Sequence, residues 1–184
     1  MTGIPEILRE LDAEGGDAVA LVARLGERGE TLAVAESLTG GLLAARVVEV
    51  PGASVVFRGG LVVYATDLKH SLADVPADLL AQRGPVDPDV AVWLARGARA
   101  RCGADWGLAT TGVAGPEPQD GVPVGTVFVG LARPDGSVHA LGLALAGDRA
   151  AVRAATVTAA VRLLSEQLSP AGYEWPVPGR DQRE

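Results

Sequence analysis

The sequence predicts an α/β domain layered around a mixed β-sheet. Strand-like runs alternate with helix-like stretches through the first two thirds of the chain, an order that builds parallel strands joined by crossover helices. The last two strand candidates, residues 124–132 and 138–146, flank Pro134-Asp135-Gly136, a turn signal that folds them into an antiparallel hairpin. The chain has 184 residues and no internal repeat, one domain's worth by length, and a chain of that size buries about 70% of its unfolded surface without staples.

Each element has its own local reason. Residues 4–13 and 17–28 read as amphipathic helices, the second capped by Asp17, with Val19, Val22 and Leu25 near helical spacing. Residues 31–36 form a short β-type run, followed at once by Ser37-Leu38-Thr39-Gly40-Gly41 and a helical stretch to about Val50. Pro51-Gly52 then forces a loop. Residues 55–64 are a strand, in which Gly59-Gly60 marks a bulge or a close backbone approach. Short helices are expected over 66–73 and 76–83. A longer one, capped by Asp87, runs over 88–102 with Val90, Leu94 and Gly97 on one face. Residues 106–112 are a strand leading into a Gly/Pro-rich loop, 114–123. The final helix, 148–168, repeats Val157, Val161, Leu164 and Leu168 on one face, and 169–184 is expected to be a loose tail after a single domain over 1–168.

Composition narrows the function classes. Apolar residues make up 48% and aromatics only 4%, so the core must be built from Ala, Val and Leu. Sixteen basic against 23 acidic residues give a net charge of −7, which argues against a nucleic-acid or anionic-membrane surface, since both need a positive face. The single cysteine, Cys102, excludes a disulfide framework and a cysteine-based zinc site, and His70 and His139 lack a His or Cys ligand partner four residues on. The N-terminus has no basic-then-apolar leader pattern, and no stretch approaches ~18 uninterrupted apolar residues. A cytoplasmic protein is expected. Lys69 is the only lysine; every other basic residue is arginine.

The most informative local feature is the passage from a buried strand through Ala35-Glu36-Ser37-Leu38-Thr39-Gly40-Gly41 into a helix. Two readings stand. Ser37 or Thr39 caps the helix, as Ser and Thr commonly do. Alternatively Ser37 is a nucleophile, and the N–H groups of the helix start hold an anion, either a phosphate or a developing oxyanion. Walker spacing with its lysine is absent. Lys69 also has two readings. One lysine among sixteen basic residues is compatible with chance. A position that needs a neutral amine is also where lysine must survive, because arginine does not give up its proton in proteins. Tyr64, at a strand end, either packs amphipathically or orients the lysine. Thr111-Gly112 opens a glycine loop able to bind a ligand or simply to turn, and Arg149 either pairs with phosphate or lies in solvent.

Five blocks occur in order: Ala35-Glu36-Ser37-Leu38-Thr39-Gly40-Gly41; Val50-Pro51-Gly52-Ala53-Ser54; Phe57-Arg58-Gly59-Gly60-Leu61-Val62-Val63-Tyr64 with Lys69; Thr111-Gly112-Val113-Ala114-Gly115-Pro116; and Val124-Gly125-Thr126-Val127-Phe128. Over about residues 16–167 the chain resembles the CinA C-terminal domain family, the nicotinamide mononucleotide deamidases also called PncC. The resemblance implies a three-layer α/β/α sandwich and hydrolysis of nicotinamide mononucleotide to nicotinate mononucleotide and ammonia. It implies Ser37 as nucleophile, Lys69 as its activator and Tyr64 beside them, with substrate contacts at Thr39, Gly40, Gly41, Gly60, Thr111, Gly112 and Arg149. It further implies no cofactor and no metal, a small nucleotide substrate and a homodimer; no nucleic-acid or membrane partner is expected, on the acidic balance. The alternative is a catalytically silent nucleotide-binding or regulatory domain of the same type, which need not keep both Ser37 and Lys69.

Two departures bear on binding. Gly84-Pro85-Val86-Asp87 replaces the family's usual Gly-Ala-Val-Ser, and Glu117-Pro118-Gln119-Asp120-Gly121 makes a stiffer, more acidic loop than the usual glycines. The N-terminal molybdopterin-binding-like domain of long family members has no counterpart in these residues, and its metal-dependent chemistry is not expected.

Overall fold

The computed structural model describes residues 18–168. Its elements are α1 (Ala18–Arg28), β1 (Leu32–Glu36), α2 (Leu42–Val48), β2 (Phe57–Val62), α3 (Thr66–Ala73), α4 (Ala77–Arg83), α5 (Pro88–Cys102), β3 (Trp106–Gly112), β4 (Thr126–Ala132), β5 (Val138–Ala144) and α6 (Arg149–Gln167). The five strands form one sheet in the order β2-β1-β3-β4-β5. β1 is parallel to β2 and to β3, whereas β3–β4 and β4–β5 are antiparallel. This is the mixed sheet the alternation and the terminal hairpin predict.

Helices cover both faces, which gives the three-layer α/β/α sandwich. Leu32 and Val34 of β1, with Leu108, Val129 and Leu131, pack against Leu21 and Leu25 of α1, Leu43 and Val47 of α2, and Val157 and Leu164 of α6. The residues between them in β1, Ala33 and Ala35, point to the opposite face with Ala109 and Ala132, against Val90, Leu94, Ala95 and Ala98 of α5. All five residues of β1 are buried, as befits a central strand covered on both sides. The second face carries Ala and Gly because α5 lies directly on it. A Cβ on Gly107 would strike the carbonyl of Ala95, and one on Gly130 the carbonyl of Ala91. A core poor in aromatics is thus matched to a helix that approaches the sheet backbone closely.

The element boundaries refine the sequence reading. α1 buries Ala18, Leu21, Val22 and Leu25, while Val19, expected on the inner face, is solvent-exposed. The buried stripe starts one residue earlier, which keeps the i, i+3, i+4, i+7 spacing. The strand expected from residue 55 starts at Phe57, because Ala53–Val55 is a 3₁₀ turn. The expected bulge is present: Leu32 pairs with Phe57 and Ala33 with Gly59, leaving Arg58 as the extra residue. Asp87 caps α5 by accepting the Asp89 N–H, and Asp148 caps α6 by accepting the Ala151 N–H. The helix expected over 4–13, the Asp17 cap and the tail from 169 lie outside the described residues. Among the described residues no helix is long and apolar enough to cross a membrane.

Candidate active site

The site forms where β1, β2 and β3 end, at the carboxyl edge of the parallel strands where ligands of open α/β sheets bind. After β1 the chain does not enter a helix at once. Residues 37–41 form a turn in which Gly40 and Gly41 adopt left-handed conformations, φ +57° and +99°, that an L side chain resists. The turn is held from inside by Glu36, a fully buried carboxylate. Its Oε2 accepts the N–H groups of Gly41 and Leu43 at 2.9 and 3.0 Å, and its Oε1 accepts that of Ala44 at 2.8 Å. Gly40 donates its N–H to the Ser37 carbonyl at 3.1 Å. The expectation that these N–H groups hold a ligand's anion is corrected by this arrangement: the carboxylate of β1's own last residue already satisfies the helix start. Thr39 is equally committed, its hydroxyl 2.7 Å from that of Thr110 beneath the turn.

Ser37 is anchored by its N–H to the Thr110 carbonyl at 3.0 Å. Its Oγ accepts from Lys69 Nζ at 3.1 Å. Lys69 reaches inward from α3 and is 1% exposed, yet no described carboxylate pairs with it. Nζ also donates to the carbonyls of Val63 at 2.8 Å and Tyr64 at 3.3 Å. Burial disfavours the ammonium and lowers its pKa to about 8, against a smaller opposing pull from Asp67. In the neutral amine the two remaining hydrogens are matched by the two carbonyls, which turns the lone pair toward the Ser37 hydroxyl. The arrangement provides a serine whose proton has a receptor within hydrogen-bond reach.

A cavity of about 160 Å³ opens above this pair, lined by Ser37, Tyr64, Lys69, Thr111, Gly112 and Arg149, with Leu38, Pro85, Val86, Glu117 and Gln119 among the other walls. Arg149, at the first turn of α6, donates to the Gly115 carbonyl at 2.8 Å and to the Tyr64 hydroxyl at 3.0 Å, so it ties three separate segments across the mouth. Because Tyr64 Oη accepts that bond, its own proton stays free to donate. Thr111 donates to the Pro85 carbonyl at 2.6 Å, which fixes the wall opposite Ser37. Asp87 is used as a helix cap and in an ion pair with Arg83 at 3.3 Å, and it does not line the cavity. Of the acidic loop, Glu117 and Gln119 do.

The structure thus brings together Ser37, Lys69, Tyr64, Thr111, Gly112 and Arg149. Thr39, Gly40, Gly41 and Gly60 lie outside the lining. Gly60 sits under Val34, where a Cβ would press on that side chain, so its smallness serves the approach of β2 to β1. Sequence reasoning missed two residues. Glu36 was legible only as part of a motif, and its role depends on where a carboxylate folds back. Arg153, one helical turn after Arg149, donates to the carbonyls of Leu38 and Thr39 at 3.0 and 2.8 Å; the four-residue spacing in α6 was its only signal. Among the described residues no group of three or more His, Cys, Asp or Glu side chains is placed to hold a metal ion.

Comparison with known proteins agrees with this architecture. A family model described as the CinA C-terminal domain matches residues 17–168. A CinA-like protein of Frankia casuarinae is 52% identical over 143 residues, covering 78% of this chain and 33% of that protein. Another, of Geobacter sulfurreducens, is 45% identical over 174 residues, covering 90% of this chain and 42% of that protein. The chain therefore spans well under half the length of these curated relatives. Among solved structures, a CinA superfamily protein from Klebsiella pneumoniae superposes with a TM-score of 0.80 at 31% identity, covering 88% of this chain and 97% of the other. A competence/damage-inducible protein from Agrobacterium tumefaciens gives 0.79 at 31% identity, covering 89% and 97%.

Proposed function

Because the chain belongs to the CinA C-terminal domain family, we propose that the Ser37–Lys69 cavity hydrolyses a carboxamide, and that its substrate is nicotinamide mononucleotide. The observation that carries the reading is the contact between a buried lysine of lowered pKa, ion-paired to no described carboxylate, and a serine hydroxyl 3.1 Å away. A structural lysine would be paired or would reach solvent; this one faces a hydroxyl at the floor of a cavity.

In the proposed reaction Ser37 Oγ attacks the carboxamide carbon while its proton passes to Lys69 Nζ. The C–O bond forms, and the carbonyl π pair moves onto oxygen, where backbone N–H groups of the wall stabilise it. As the tetrahedral intermediate collapses, the C–N bond breaks, and the Lys69 proton goes to the departing nitrogen as ammonia. Water then attacks the acyl ester, giving a proton to Lys69, which returns it to Ser37 as the carboxylate product leaves. Tyr64 and Arg149 supply donors at the mouth for the polar groups of a mononucleotide, and Arg149's guanidinium suits a phosphate. The acidic overall balance is no obstacle, because a mononucleotide needs local donors and not a basic face. The same proposal includes a single domain through residue 168, no cofactor, a cytoplasmic location and a homodimer.

The test is ammonia release from nicotinamide mononucleotide by wild type, Ser37→Ala, Lys69→Ala and Lys69→Arg. Turnover by the wild type alone is the expected result. Full activity in Lys69→Arg would sink the base assignment, and no turnover by a folded wild type would favour the silent binding domain.

A further inference from the structure

Arg149 and Arg153 leave the same face of α6 one turn apart and serve opposite walls of the cavity. Arg149 reaches the loop after β3 through the Gly115 carbonyl. Arg153 reaches the turn after β1, its Nε to the Leu38 carbonyl at 3.0 Å and its Nη2 to the Thr39 carbonyl at 2.8 Å. The Arg153 guanidinium is partly buried, and no described carboxylate pairs with it. A cation removed from water without a counter-charge is costly unless its hydrogen bonds are well directed. Here they are aimed, across more than a hundred residues of sequence, at two consecutive peptides of the turn that carries Ser37.

Within that turn most of the donors are assigned. The N–H groups of Ser37, Gly40, Gly41, Leu42, Leu43 and Ala44 go to protein acceptors. The Leu38 and Thr39 N–H groups donate to no atom of the described residues; Thr39 is fully buried and outside the lining, whereas Leu38, the first residue after Ser37, is 4% exposed and lines the cavity. A buried backbone N–H without a partner is rare. In a serine acyl transfer, the N–H following the nucleophile is well placed to meet the oxyanion.

We propose that Arg153 is a positioning residue for acyl transfer: by holding the Leu38 and Thr39 carbonyls, it locks the Ser37 turn so that the Leu38 N–H serves as an oxyanion donor. Arg153 is outside the cavity lining, and its bonds go to the Leu38 and Thr39 carbonyls and not to Ser37. When the Ser37 Oγ–carbon bond forms and the carbonyl π pair moves to oxygen, the donor is already oriented and no reorganisation is required. The inference rests on reading Ser37 as a nucleophile, but not on which amide is cleaved.

The experiment uses the full chain and two readouts: the rate at which a fluorophosphonate labels Ser37, with loss of fluoride, and kcat and KM for nicotinamide mononucleotide. Arg153→Met should slow labelling and kcat together by roughly ten- to a hundred-fold, as for a misaligned oxyanion donor. KM should stay within about threefold, and the pH midpoint set by Lys69 should stay near 8. Arg153→Lys, which keeps the charge but not the fork, should recover part of the rate, and methylguanidine should rescue Arg153→Ala. Unchanged labelling and kcat in the variants overturn the proposal. So does a loss carried by KM or by a displaced pH midpoint, which would mark a general structural role. Labelling that falls in the variants without any turnover of nicotinamide mononucleotide sinks the substrate assignment and leaves the role of Arg153 standing. A folded wild type that neither labels at Ser37 nor turns over overturns both.

Discussion

Lys69 Nζ and Ser37 Oγ stand 3.1 Å apart although 32 residues separate them, and the lysine completes its coordination with two backbone carbonyls. No described carboxylate lies in that shell. The pair is therefore a hydroxyl and an amine whose protonation is set chiefly by burial, against a smaller pull from Asp67, with pH as the natural lever.

The working form of Lys69 is the neutral amine, so activity should climb as pH rises toward its pKa of about 8 and level off above it. Below that value kcat/KM for ammonia release should fall about tenfold per pH unit. A bell centred below pH 7 would show that a different group is the base.

The same shift makes stability depend on pH with a definite sign. The folded-state pKa, about 8, lies below the ordinary lysine value of 10.5, so in that window the unfolded chain binds more protons. The burial cost is fully present below pH 8 and is relieved as pH rises toward 10.5. The unfolding free energy of wild type minus that of Lys69→Met should rise by up to about 1.4 kcal/mol per pH unit between these limits. Urea titrations at pH 7.5, 9 and 10 measure it, and a flat difference would contradict the lowered pKa.

Glu36→Gln keeps shape but removes the charge and one acceptor from the three N–H groups at the start of α2. The loss should be about 2–3 kcal/mol in urea unfolding, since bonds to a charged acceptor are worth more than neutral ones and a buried donor is left unpaired. A loss under about 0.5 kcal/mol would mean the helix start is satisfied some other way.

Gly130→Ala places a methyl against the Ala91 carbonyl, where α5 rests on β4. Backbone cannot yield as a flexible side chain does, so destabilisation of about 3 kcal/mol or insoluble expression is expected. Gly136→Ala, in the hairpin turn with open space around it but φ +85°, should cost only about 1 kcal/mol of backbone strain. Thermal unfolding of both variants compares steric contact with strain directly.

Arg149→Met should leave stability within about 1 kcal/mol, because its bonds to Gly115 and Tyr64 are exposed. It should raise KM for a phosphate-bearing amide more than for the corresponding nucleoside. Equal effects on both would remove Arg149 from phosphate binding.

Most of the fold was readable along the chain because its signals are local. The bounds of α3, α5 and β3 follow from periodicity, the Asp87 cap and the Gly/Pro loops, and the hairpin from Pro134-Asp135-Gly136. The lone lysine was also legible, as a composition anomaly, and the ordered blocks around Ser37 gave it a family. Tertiary structure alone decided the rest. The helix after Ser37 looked like a vacant anion site until Glu36 was seen folded back onto its N–H groups, a matter of side-chain direction that spacing does not encode. Gly60 looked like a ligand position until Val34 of the neighbouring strand was found above it. Arg153 was invisible because its partners lie 114 and 115 residues away. The lowered pKa of Lys69 exists only once the chain has closed over the amine and excluded water. Sequence determined which groups are available and on which elements they ride; packing determined which of them meet, and which are already committed to holding the turn in place.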